Sequence, residues 1–288
     1  MSAPTLDPPV APPPAAARNR LRWFAENPLV TVCTAVVLLV LVGSFALPLP
    51  YDPEGVDATA VLQPPSATHL MGTDQNGSDV FSRVVAAGRT DLTLAIVATL
   101  VATTAGVVAG LLASKRNRVA GAVMNVLDLV QSFPLLLFSV ILVSLAGNNL
   151  GAVVAAIVVI GFPSITRLVR SEALVVRELR YVEVAESIGV SSARTTFRHV
   201  LPNVAGVITA QFGIMLGRSL MIIATLAFIG VGVTAPTPSW GAMVRAGANV
   251  IGNGVWWVAV FPGLAVVLVM FCVNLAADGV QRSLGRQR

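Results

Sequence analysis

The chain has 288 residues, of which 55% are hydrophobic and only 11% are charged, and its mean hydropathy is +0.80. A soluble domain of this length has no interior large enough for so many apolar residues, so the composition excludes a soluble globular protein and predicts a membrane protein. The net charge of +5 comes from basic residues scattered in short groups between apolar runs, a pattern that membrane topology explains better than a nucleic-acid ligand.

The apolar runs predict the membrane spans. A bilayer core requires about 20 apolar residues per helix. On that measure the chain has six spans, at residues 28–47, 90–113, 119–146, 150–170, 204–232 and 255–277. A lipid-exposed backbone must satisfy its own hydrogen bonds, so these spans are expected to be helices. The sequence therefore predicts an all-α membrane protein with six transmembrane helices.

Basic residues predict the orientation. All but four of the nineteen basic residues lie at the chain ends, between spans two and three, or around the loop after span four; the exceptions are Arg83, Arg89, Arg218 and Arg245. By the positive-inside tendency, both termini and the loop 171–203 face the cytoplasm.

The expected organisation has four parts. A disordered cytoplasmic tail at 1–22 precedes the first transmembrane helix at 23–47 and an external segment at 48–89. A core domain at 90–288 holds the other five transmembrane helices and the loop 171–203. The external segments are expected to pack on the helical bundle, and the alternative is that they form a docking surface for an external partner.

The cytoplasmic loop has the pattern of two short helices. An apolar side is formed by Tyr181, Val184, Ala185 and Ile188, and Gly189 can supply the left-handed residue that ends such a helix. Ser191 or Ser192 can cap a second helix with an apolar stripe, which consists of Ala193, Phe197 and Val200. Two interpretations stay open: an ordinary inter-helix loop, or a surface that fits a groove on a partner.

Three motifs carry a resemblance to a known family. Glu183, Ala185, Gly189, Leu201 and Pro202 match the spacing of the EAA signature of importer-type ABC permeases, with departures at Val184 and His199. A second match resembles a segment of the C-type permease subunit of dipeptide and oligopeptide importers, with departures at Leu70, where the family has Pro, and at Ser78, where it has Arg. It consists of His69, Leu70, Met71, Gly72, Thr73, Asp74, Gly77, Asp79, Val80, Ser82 and Arg83. The third is FIGVGVTAPTPSWG, at Phe228 to Gly241. The resemblance extends from about residue 25 to the end of the chain.

The resemblance implies a type I ABC importer permease fold in the bacterial inner membrane, with both termini cytoplasmic. It implies partners: a second homologous permease that forms a heterodimer with this chain, two ATPase domains, and an extracytoplasmic substrate-binding protein. The implied cargo is a dipeptide or oligopeptide, and a sibling importer of nickel or haem is the alternative. The EAA loop would contact an ATPase through Tyr181, Glu183, Ala185, Gly189, Leu201 and Pro202.

Catalytic and cofactor chemistry is not expected in this chain. Its only lysine, Lys115, lies outside any Gly-Lys-Ser/Thr phosphate loop, so ATP and Mg²⁺ would be bound by the partner ATPase subunits. The two histidines, His69 and His199, fall on opposite sides of the membrane, and no metal-ligand set is visible.

A secondary transporter would usually contain inverted repeats and ion ligands at the midplane, and the sequence contains neither. Cys33 and Cys272 lie in apolar runs and predict neither a disulfide nor a metal site.

Polar residues within spans are expensive and suggest a pathway. Asn125, Asp128 and Gln131 recur on one face of span three, and Asp128 is expected near the cytoplasmic interface. In span five, Gln211 and Arg218 are candidate pathway residues, and Arg218 could instead pair with a neighbouring subunit. Small residues four apart predict close helix packing in two spans, at Gly106 with Gly110 and at Gly213 with Gly217.

Overall fold

The computed structural model describes residues 27–114, 118–187 and 189–285, and within these ranges it contains helices and turns but no β-strand. The helices are α1 Pro28–Ala46, α2 Val80–Ala113, α3 Arg118–Gln131, α4 Leu135–Leu145, α5 Leu150–Arg177, α6 Arg180–Ser187, α7 Ser192–Thr195, α8 Leu201–Ile229, α9 Trp240–Ala248 and α10 Trp257–Gly285. A π-helical turn, Thr196–Val200, joins α7 to α8, and a 3₁₀ turn, Ile251–Asn253, precedes α10. The predicted tail at 1–22 lies outside the described residues, as do Lys115, Arg116, Arg286 and Arg288.

Five helical segments in the described part are long and apolar enough to cross a membrane: α1, α2, α5, the continuous segment Ser192–Ile229 that ends with α8, and α10. The predicted span 119–146 is not one helix. It consists of α3 and α4, which meet at an angle of 92°, so the pair counts as a sixth span only if it is taken as a broken one. The break consists of residues 132–134 and ends at Pro134, which lacks an N–H and disfavours the helical conformation of Phe133.

Local capping explains where several helices begin and end. The α2 helix begins at Val80, before the predicted start at 90, because the Asp79 carboxylate accepts a hydrogen bond from the Ser82 N–H at 2.8 Å. The α5 helix is capped in the same way by Asn149, whose side chain accepts from the Ala152 N–H at 2.9 Å. It continues past the predicted end at 170 to Arg177.

The predicted close packing of glycine-bearing helices is confirmed. The α2 helix packs along α5, where Gly106 lies against Ile165 and Gly110 lies against Thr166 and Val169. In the same way Gly213 and Gly217 of α8 face Ala277 and Asn274 of α10. The interior of the bundle is therefore built from backbones that approach closely.

The segment predicted to be external, residues 48–89, is called the external segment below and folds onto the bundle. Its histidine, His69, lies 2.9 Å through Nδ1 from Oδ1 of Asp79, the residue that caps α2. The Trp257 indole N–H, at the start of α10, donates to the Thr73 carbonyl at 3.1 Å. These contacts attach the segment to the starts of α2 and α10.

The loop before the last helix is held in a similar way. The backbone N–H of Trp240, the first residue of α9, donates to Oδ2 of the buried Asp91 at 3.0 Å. Its indole N–H donates to the Val84 carbonyl at 2.9 Å. Both predicted external regions thus pack on the helices of their own chain.

The two cysteines are buried and form no disulfide; Cys33 lies on α1 and Cys272 on α10, and these two helices pack against each other. Nothing in their sequence spacing indicated that the two helices meet.

Candidate functional site

The loop predicted to bind a partner is formed by α6, α7 and the π-helical turn. Gly189, between α6 and α7, has φ +86°, and a Cβ added there would have no heavy atom within 4 Å. The predicted left-handed glycine is therefore confirmed. Ser191 occupies the cap position of α7, but its side chain forms no capping hydrogen bond. Its carbonyl accepts the first hydrogen bond of the helix, from the Thr195 N–H at 3.0 Å.

The loop exposes apolar side chains. Phe197 is 68% exposed, Val184 58% and Tyr181 46%. The side chains of Glu183, Ala185, Glu186 and Ile188 lie outside the described part of the structure. The exposed apolar surface formed by Tyr181, Val184 and Phe197 is called the loop face below.

The three side chains of the stripe predicted on the second helix of the loop do not lie on one face. Ala193 and Phe197 are exposed, whereas Val200 is fully buried in the core. The π-helical turn Thr196–Val200 explains this difference. Its wider i→i+5 turn changes the angle between successive side chains and directs residue 200 away from the face that residue 197 occupies.

One arginine connects the loop to the membrane helices. The Arg177 Nε–H, at the end of α5, donates to the Ser114 hydroxyl at 3.0 Å, and its Nη2 donates to the Thr196 hydroxyl at 2.7 Å. Thr196 in turn donates to the Ser192 carbonyl at 2.8 Å. The end of α2, the end of α5 and the second half of the loop therefore meet at Arg177. The sequence indicated only the charge of Arg177, because the partners of its side chain are distant along the chain.

The two halves of the loop are also joined to each other. Asn203, in the first turn of α8, donates through Nδ2 to the Tyr181 hydroxyl at 3.2 Å and to the His199 carbonyl at 2.6 Å. The rings of Tyr181 and His199 lie edge to face, with centroids 6.0 Å apart. Leu201 and Pro202 begin α8 directly above this contact, and Leu201 packs against the core. Asn203 therefore joins the first helix of the loop to the start of α8.

A second candidate site is a cavity of about 260 Å³ at the break between α3 and α4, called the break cavity below. Its polar lining consists of Gln131, Ser164 and Arg218, and its apolar lining includes Phe133 and Phe138. The Gln131 Nε2–H donates to the Ser164 hydroxyl at 2.7 Å. Gln211, the other predicted pathway residue, is half-buried and does not line this cavity.

The predicted polar face of α3 contacts α5. Asp128 forms an ion pair with Arg167, and Gln131 is bonded to Ser164, so two positions on α3 pair with two positions on α5. Both members of the ion pair are about half exposed.

A third hollow opens at the other end of the molecule, between the external segment and α9, with a volume of about 280 Å³. Asp74, Arg83 and Arg245 contribute its charged lining. Arg83 Nε lies 3.5 Å from Asp74 Oδ2, and its Nη1 donates to the Pro53 carbonyl at 3.0 Å. Across the described ranges, no group of three or more His, Cys, Asp or Glu side chains is placed to hold a metal ion.

Comparison with known proteins agrees with this architecture. Residues 102–287 match the family described as "Binding-protein-dependent transport system inner membrane component". The chain is 35% identical over 266 residues to the probable D,D-dipeptide transport system permease protein DdpC of Escherichia coli K12, covering 91% of this chain and 89% of that protein. It is 34% identical over 268 residues to the glutathione transport system permease protein GsiD of Pectobacterium atrosepticum, with 91% and 88% covered. It is 32% identical over 222 residues to the dipeptide transport system permease protein DppC of Bacillus subtilis, with 77% and 69% covered.

The family match covers more than half of the chain, and each of these relatives is matched over more than two thirds of its length. The chain therefore belongs to the family of inner membrane components of binding-protein-dependent transport systems, and it is a multi-pass inner membrane protein.

Proposed function

We propose that this chain is the permease subunit of an ATP-driven importer of dipeptides or oligopeptides. With a second homologous permease it forms the translocation pathway, each subunit contributing half. The cargo class is supported by the relatives, whose names refer to D,D-dipeptides, glutathione and dipeptides. An extracytoplasmic binding protein delivers the peptide, and two ATPase domains bind ATP and Mg²⁺ and supply the energy.

The observation that carries the coupling role is the loop face. Tyr181, Val184 and Phe197 expose apolar surface on a compact loop whose interior is already filled by Val182 and Val200. An apolar helical surface with polar surroundings is the kind that docks into a groove on a partner. We propose that an ATPase subunit covers it, with contacts from Tyr181, Glu183, Ala185 and Gly189, and that Leu201 and Pro202 join the loop to α8.

The contacts of the loop explain how ATPase closure would reach the pathway. Arg177 bonds the loop at Thr196 and the end of α2 at Ser114, so a displacement of the loop would pull on both elements. The distribution of basic residues puts this end of the bundle in the cytoplasm, where ATPases are found. We further propose that Gln211 and Arg218 of α8 belong to the pathway side of the bundle.

A matched pair of glycine substitutions tests the coupling role. Gly189 in the loop has φ +86° and Gly254 outside has φ +83°, and a Cβ at either position would have no heavy atom within 4 Å. Valine should therefore cost each site a similar backbone strain, about 1–2 kcal/mol or more. We expect Gly189→Val to abolish peptide transport and to weaken copurification of the ATPase, whereas Gly254→Val retains both.

Transport and ATPase copurification are measured on the complex with its partner subunits, after both variants are checked for equal insertion into membranes. Equal losses in the two variants would mean that general destabilisation, and not coupling, explains the result. Normal transport by Gly189→Val would refute the role of this loop.

A further inference from the structure

The break cavity lies where a membrane helix is interrupted. The chain leaves the helical conformation between Gln131 at the end of α3 and Leu135 at the start of α4. At membrane depth, non-helical backbone is tolerated only where protein covers it or where it lines a water-filled space. A cavity of about 260 Å³ lies at this point, and its polar lining of Gln131, Ser164 and Arg218 suits the second case.

Arg218 brings a charge to that space. Arg218 is exposed and lines the cavity, and it takes part in none of the ion pairs found among the described residues. A guanidinium cannot release its proton, so within a span it must find water, an acceptor or an anion. The break cavity provides space for such a ligand beside the charge.

The remaining lining is that of a ligand site. Gln131 donates to Ser164, which leaves the Gln131 carbonyl oxygen able to accept from a ligand N–H. The stacked rings of Phe133 and Phe138, with centroids 5.6 Å apart, supply apolar surface. A mainly apolar wall with a few converging polar groups is typical of small-molecule sites. If the role of Arg218 were only to form an ion pair with a carboxylate of the second permease, the site would need neither the Gln131 amide nor the aromatic wall.

We propose that the break cavity receives the C-terminal carboxylate of the peptide during its passage, with Arg218 as the anion-binding residue. This inference rests on the proposed peptide-import function. The guanidinium fork matches a carboxylate with two parallel hydrogen bonds, which a lysine ammonium cannot reproduce. The cavity volume is below the range of about 300–1,000 Å³ that is usual for whole ligands. It therefore suits one end of a peptide, and the rest would extend into the space shared with the second permease.

The test compares a peptide with its C-terminal amide. The complete complex, with its partner subunits and binding protein, is reconstituted into vesicles, and uptake of di-L-alanine and of di-L-alanine amide is measured. Each substrate is supplied at a concentration that saturates the binding protein. Arg218→Gln is compared with Arg218→Lys and with Arg282→Gln, a loss of charge at an exposed residue near the end of α10.

We expect Arg218→Gln to lower uptake of the free acid roughly tenfold or more, because the variant loses at least one charge-assisted hydrogen bond to the carboxylate. Uptake of the amide should change less than about twofold. Arg218→Lys should recover part of the uptake of the acid, and Arg282→Gln should match the wild type. Equal losses for acid and amide, or no loss for either, would overturn the inference. Failure of Arg218→Gln to assemble with the second permease would also overturn it, because the arginine would then be an inter-subunit contact. Absence of any peptide uptake by the wild-type complex would instead reject the proposed function.

Discussion

Close contact between α2 and α5 makes a prediction about stability at Gly110. A Cβ added there would lie 2.7 Å from the Thr166 carbonyl oxygen and 2.8 Å from the Val169 Cβ. The first of these atoms is backbone, so it cannot move aside as the end of a flexible side chain would. We therefore expect Gly110→Ala to force the two helices apart locally.

The size of the effect follows from two opposing terms. Alanine improves helix propensity over glycine by about 0.5–1 kcal/mol. Overpacking of a tight interior costs typically about 1–3 kcal/mol. Because three atoms lie within 3.0 Å of the added methyl group and one of them is backbone, the cost should dominate, with a net loss of about 1–2 kcal/mol. At about 2–4 °C per kcal/mol, this lowers Tm by several degrees.

Gly121 of α3 provides the matched control. It also lies inside a helix, but a Cβ added there would have no heavy atom within 4 Å. Gly121→Ala should therefore leave Tm unchanged or slightly higher. Unfolding of the detergent-solubilised protein can be followed with a thiol-reactive dye, since Cys33 and Cys272 are buried and free until the bundle opens. If Gly110→Ala is as stable as Gly121→Ala, the described packing of α2 on α5 is wrong.

Two further predictions concern contacts that join distant parts of the chain. Arg177→Gln removes charged hydrogen bonds worth about 1–3 kcal/mol each, so we expect several-fold less peptide transported per ATP hydrolysed with the ATPase still bound, and partial recovery in Arg177→Lys. Unchanged transport per ATP would show that the loop moves the bundle by another route. Because Cys33 and Cys272 lie on helices that pack against each other, we predict that mild oxidation links α1 to α10 through a disulfide. After denaturation and proteolysis at Lys115, the only lysine, the two fragments should then stay together on a non-reducing gel; fragments that separate would contradict the placement of α1.

Features that depend on local sequence were predictable. The apolar runs located the helices because burial in a bilayer requires a fixed length of apolar residues. The left-handed conformation of Gly189 was predictable because a helix often ends on a glycine. Pro134 lay within the predicted third span, but a long apolar run conceals a single helix-breaking residue, so the bend was missed.

Features that depend on contacts between distant residues were not predictable. Arg177 meets Ser114 and Thr196 through hydrogen bonds that no spacing in the sequence indicates. The π-helical turn also shifted Val200 into the core, against a stripe expected from ordinary helical periodicity.

The polar residues of the spans show how structure refines a sequence pattern. Regular spacing along α3 predicted one polar face, and two of its members, Asp128 and Gln131, pair with Arg167 and Ser164 of α5. Asp128 pairs with Arg167, and Gln131, three residues later in the chain, pairs with Ser164, three residues before Arg167. The two helices therefore run antiparallel along this face. Two of the polar residues of the third predicted span therefore join α3 to α5. Arg218 differs, since the described residues provide it with a cavity and no carboxylate, and this difference distinguishes it as the pathway candidate.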